Sequence, residues 1–162
     1  MSTDNEPRPQ AVTDGMVRTE AHMFNLVDIE ATVAGQRPPA PGIALVTVGT
    51  GALLATFSSE LEDNQPQVVL EHWTTGPPEP EGPWERQALE QLTVQAGQLA
   101  LGSGISGLPA PHRLTVPPGH YRLGVWCRGR AAARAGELAA IDAGTELKGV
   151  EEWLIRLWPT SA

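Results

Sequence analysis

Between His120 and Arg128 the side chains alternate with period two. Tyr121, Leu123, Val125 and Cys127 fall on one side, and His120, Arg122, Gly124, Trp126 and Arg128 on the other. Successive residues of an extended strand point to opposite faces, so the pattern predicts a strand with one apolar face against a core. Pro117-Pro118-Gly119 precedes it. Proline sets the first central φ of a turn and glycine supplies the positive φ that follows, so this tripeptide predicts a sharp turn. The segment 150–158 repeats the theme, with Trp153, Ile155 and Leu157 on one side and Leu154, Arg156 and Trp158 on the other.

Shorter alternating or apolar runs at 21–33, 43–48, 52–57, 68–75, 99–101 and 112–116 read as further strands. In the first, Asp28 and Glu30 share a face. The runs at 43–48 and 52–57 flank Gly49-Thr50-Gly51 and read as a hairpin. Segments 35–42, 58–67, 75–83 and 102–111 are rich in glycine, proline or acidic residues and read as loops. Residues 84–96 suit a short helix through Ala88, Leu89 and Leu92 or a strand, with the second half leaning to the strand. Residues 128–149 are helix-prone but carry Gly136 and Gly144, which points to a loop or short helix at 129–148. About eight short strands separated by turns, without long helical crossovers, predict an all-β, mostly antiparallel β-sandwich. The 17 glycines and 15 prolines among 162 residues agree. Residues 1–19 read as a disordered, mobile tail and 20–162 as a single sandwich domain.

Eleven Lys and Arg against 19 Asp and Glu give a net charge of −8. Phosphate neutralisation needs the opposite balance, so no nucleic-acid partner is expected. No apolar stretch approaches the roughly 20 residues of a spanning helix, and the first residues lack a secretory pattern. The expectation is a cytoplasmic protein without membrane contact. The lone Cys127 forms no disulfide within the chain and reads as a small apolar core residue. Motif searches find no phosphate loop, nucleophile elbow or metal-ligand spacing, so no catalytic residue and no cofactor is assigned. The weaker enzymatic sets are the paired carboxylates of Asp28 and Glu30, and His112 with His120, which would approach if their strands formed a hairpin.

The outward faces of the two C-terminal strands carry more information. Trp and Arg dominate interface energetics, and these faces present His120, Arg122, Trp126, Arg156 and Trp158. Either residues 129–148 fold back over them, or the strand is buried on both sides, or they meet a partner or a second copy. Two acidic loops offer charge: Glu60, Glu62 and Asp63 in one, Glu79, Glu81 and Glu85 in the other.

Four landmarks occur in order: VVLEHWTTGPPEPEGPWE at 68–85, AGQLALG at 96–102, VPPGHYRLGVWCRGR at 116–130 and VEEWLIRLWP at 150–159. Across roughly 68–128 they resemble the competence protein J family, the DNA-entry nuclease inhibitors. The Arg-Gly-Arg and the closing segment are similar to uncharacterised proteins of high-GC bacteria. The resemblance implies a non-enzymatic β-sandwich that binds another protein, as an inhibitor or immunity protein for a basic nuclease or toxin; a homodimer is a further expectation. The alternative is a carbohydrate- or small-ligand-binding module using exposed tryptophans.

Overall fold

The computed structural model describes residues 6–31, 44–103 and 109–160. Among them are ten strands: β1 (Ala11–Met16), β2 (Met23–Asp28), β3 (Val46–Val48), β4 (Leu53–Ser58), β5 (Gln65–His72), β6 (Arg86–Val94), β7 (Gln98–Ser103), β8 (Pro109–Thr115), β9 (Gly119–Arg128) and β10 (Lys148–Pro159). One helix, α1 (Arg130–Asp142), joins β9 to β10. The strands form two five-stranded sheets. One has the order β1-β5-β10-β9-β6 and the other β3-β4-β2-β7-β8. The all-β sandwich expected from alternation is the observed fold. All pairs within the sheets are antiparallel except β5 with β10, which run parallel.

The core lies between the sheets where the alternation placed it. Tyr121, Leu123, Val125 and Cys127 of β9 and Trp153, Ile155 and Leu157 of β10 are all buried inward. They face Phe24, Leu26, Phe57, Leu99 and Leu101 of the second sheet. Phe24 stacks on Phe57 at 4.9 Å and meets Trp153 edge-on at 5.1 Å. The Tyr121 hydroxyl donates to the Pro117 carbonyl at 2.5 Å, which braces the Pro-Pro-Gly turn.

Four details differ from the sequence expectation or settle it. Part of the segment read as a tail is β1, paired with β5 along its whole length. Its inward residues are the small Ala11, Thr13 and Gly15, while Val12 and Met16 face out, so no apolar alternation signals it. Gly15 is small because the His112 ring occupies the space where a Cβ would stand. The second difference is that all of Arg86–Val94 is strand; Ala88, Leu92 and Val94 share the inward parity with Glu90. Third, the choice left open at 129–148 between a loop and a short helix falls to the helix, 13 residues that run through Gly136. The Glu85 carboxylate accepts from the Gly129 and Ala131 N–H groups at 2.7 and 3.3 Å and so satisfies donors at its start. Fourth, β8 and β9 lie in different sheets, so the Pro-Pro-Gly turn is a crossover and no hairpin forms there. The loop expected at 35–42 and the segment 104–108 lie outside the described residues. Among those described, no helix is long and apolar enough to cross a membrane.

Candidate partner-binding surface

Strand β5 ends at His72 beside the end of β10, and β6 begins beside Cys127 at the opposite end of β9. The connecting segment 73–85 therefore has to cross the outer face of the sheet. It does so over β10 and β9, and Arg156 pins it. The Arg156 Nη1 donates to the Pro78 carbonyl at 2.8 Å, and its Nε donates to Glu71 Oε2 at 2.7 Å. The same oxygen accepts from the Trp73 indole at 2.7 Å. The guanidinium lies 5.0 Å from the Trp73 ring and 5.6 Å from Trp126.

Of the alternatives left open for the outer face, much of it is covered, though not by residues 129–148. Trp126 is 8% exposed and Arg156 9%. The cover is the proline-rich 73–85 segment, with α1 standing at the end of the sheet. Trp158 remains half-buried, His120 exposed and Arg122 half-buried. Trp158 stands opposite Arg122 in register, and Thr160 N–H donates to the His120 carbonyl at 3.1 Å. These three residues thus gather at one end of the sheet. Glu60, Glu62 and Asp63 lie at the other end, in the loop that leads into β5.

The acidic loop divides into a structural and an exposed part. Glu60 is half-buried and pairs with Arg130, at 3.1 Å, and with Arg134, tying the loop to α1. Glu62 and Asp63 are exposed, and Asp63 meets Arg18 at 3.3 Å on the surface. Beneath this loop sits a group that the sequence reading passed over. Glu151 is 1% exposed and accepts from Ser59 Oγ and Glu60 N–H, both at 3.1 Å, and from the Trp153 indole. Burial raises its carboxyl above the usual range, against the pull of the Trp153 N–H and of Arg130. Its parity was the available signal: Glu151 shares the inward side of β10 with Trp153, Ile155 and Leu157.

The enzymatic sets come apart. Asp28 is fully buried at the end of β2 and accepts from the N–H groups of Ala96, Gly97 and Gln98 at 2.8 to 3.2 Å, shaping the turn before β7. Glu30 sits beyond the strand in an exposed turn, so the two do not form a carboxylate pair. His112 packs against β1, with Nε2 3.2 Å from the Met16 carbonyl. His120 instead meets Thr93 at 3.0 Å on the other sheet. Among the described residues no three His, Cys, Asp or Glu side chains converge as metal ligands. The tryptophan platforms also shrink: Trp73, Trp126 and Trp153 are buried, and Arg128 lies 4.5 Å over Trp84.

Two solved structures share this architecture. One is ComJ, inhibitor of the DNA degrading activity of NucA, from Bacillus subtilis, with a TM-score of 0.59, 12% identity and 95% of this chain and 98% of that one covered. The fold is ComJ-like. The other is described as crocagin biosynthetic gene J, with a TM-score of 0.59, 17% identity and 93% of this chain and 98% of that one covered. At these identities the likeness is one of fold. The resemblance read from motifs at 68–128 therefore extends, as architecture, over nearly the whole chain. No protein-family model and no curated protein matches the chain.

Proposed function

We propose that this protein is a non-enzymatic β-sandwich that binds and inhibits another protein, a basic nuclease or toxin. The observation that carries the reading is the ComJ-like fold over 95% of the chain, since ComJ is itself an inhibitor of a DNA-degrading protein. The charge distribution supports it. A nuclease binds phosphates through a basic cleft, and an acidic protein is steered to such a cleft at an enhanced rate. The net charge here is −8, with Glu62, Asp63, Glu79, Glu81 and Glu85 all exposed.

The test is capture of binding proteins from the native host at low salt, then a DNA-degradation assay of each captured protein with and without this chain. The expected result is a nuclease that is silenced stoichiometrically and released by salt. Capture of no protein whose activity the chain suppresses would overturn the reading.

A further inference from the structure

We propose that the cleft over Gly124 receives a single cationic side chain, arginine or lysine, from the protein partner. The inference rests on the inhibitor reading and identifies its anchor point. The cleft measures about 370 Å³ and opens between the 73–85 segment and β6. Its floor depends on one glycine. A Cβ at Gly124 would stand 2.5 Å from Trp126 Cη2 and 3.1 Å from Trp158 Cη2, so only the bare backbone lets both indoles lie there. Pro77, Pro78 and Leu89 complete apolar walls suited to the methylene stem of a long side chain, with Gln87 as a polar neighbour. Leu89 is 57% exposed at the mouth.

The tryptophans indicate what the cleft takes. A cation over an indole face is held by the ring's quadrupole. Of the five tryptophans, four carry an arginine over the ring at 4.5 to 5.9 Å: Trp84, Trp73, Trp126 and Trp153. Trp158, which opens onto the cleft, carries none among the described residues. Glu79 lines the same cleft. It is exposed and makes no ion pair among the described residues, so it offers a counter-charge in the cleft that Trp158 lines. The neighbouring cations do not cancel it: Arg156 is spent on Glu71, and Arg122 lines the adjacent groove with Glu90. An apolar floor, an indole that carries no cation and a carboxylate unpaired among the described residues together recognise a desolvated cation more specifically than a neutral group.

Titration of the full chain with two capped tripeptides, Gly-Arg-Gly and its uncharged isostere Gly-citrulline-Gly, followed by the indole N–H resonances, tests this. The arginine peptide should move the Trp158 and Trp126 signals saturably and bind at least about threefold tighter than the citrulline peptide. Glu79→Gln, a surface change that spares the fold, should weaken the arginine peptide severalfold. Trp158→Leu and Gly124→Ala should abolish the response, with the remaining indole signals reporting an intact core. Equal response to both peptides, or full response in Trp158→Leu, would overturn the proposal. So would dimerisation through Leu89 without any peptide response. A captured nuclease bound equally well by wild type and Trp158→Leu would sink the anchor and leave the inhibitor reading standing. Arginine-peptide binding without any inhibited nuclease would do the reverse.

Discussion

Arg156 and Glu71 stand opposite one another across the parallel pair of β10 and β5, with 2.7 Å between Nε and Oε2. Both side chains are largely buried, and the pair also holds Trp73 and the Pro78 carbonyl. Removing one partner leaves an uncompensated charge under the 73–85 segment. Arg156→Ala or Glu71→Ala should each cost about 3 kcal/mol in urea unfolding, while the double leucine replacement should cost less than either. Amide exchange should accelerate in residues 74–85 of both single variants. Additive losses in the double-mutant cycle would count against the pair.

The two faces of the sheet should respond unequally to truncation. Trp153→Ala removes a side chain packed on Phe24 and Phe57 and should cost about 3–5 kcal/mol. Trp126→Ala removes a ring that lies between the sheet and the crossing segment, which can settle into the space, so the loss should be clearly smaller. Denaturant midpoints compare the two directly, and equal losses would contradict the face assignment.

Glu151 makes stability depend on pH in an unusual sense for a carboxylate. Its folded value is raised by burial above the ordinary value of 4.5, so the folded state binds the proton more tightly than the unfolded one. The associated stability is present below about 4.5 and is lost as pH rises through the folded value. Glu151→Gln removes that proton. Relative to the variant, the wild type should therefore lose stability from pH 4.5 upward, as measured by denaturation at a series of pH values. A constant difference across the range would refute the assignment.

Cys127 should be chemically silent. Its thiol is buried inward on β9, and burial, with the nearby Glu151, pushes it up to about 12. Reactive chemistry needs the thiolate. An aromatic disulfide reagent at pH 8 should find no thiol in the folded protein and one equivalent in guanidinium. Rapid labelling of the native protein would place Cys127 at the surface.

Glu62→Lys with Asp63→Lys should slow association with a basic partner about tenfold at low salt, with the difference vanishing as salt rises. Stability should change by only about 0.5 kcal/mol, since the single ion pair involved is exposed. Glu60 is the wrong residue for this experiment because Arg130 and Arg134 depend on it. Surface-resonance kinetics against the captured partner give the answer; an unchanged on-rate would remove the steering argument.

Parity was legible in β9 and β10, where the inward residues are large, but not in β2, where Phe24 and Leu26 enter the core and Ile29 is exposed. The inward sets of β9 and β10, the turn at Pro117–Gly119 and the sandwich class follow from alternation and turn chemistry, which are local properties of the chain. β1 was hidden because a strand that packs small residues inward against His112 carries no hydrophobic signature. The fate of the outer face was hidden for a different reason. Whether Trp126 and Arg156 meet water depends on the route taken by residues 73–85, and that route follows from the position of β6 beyond β9 in the sheet. Strand order arises from pairing between segments distant in sequence, so the cover over Trp126, the union of Arg156 with Glu71 and the open indole of Trp158 exist only once the sheet is assembled.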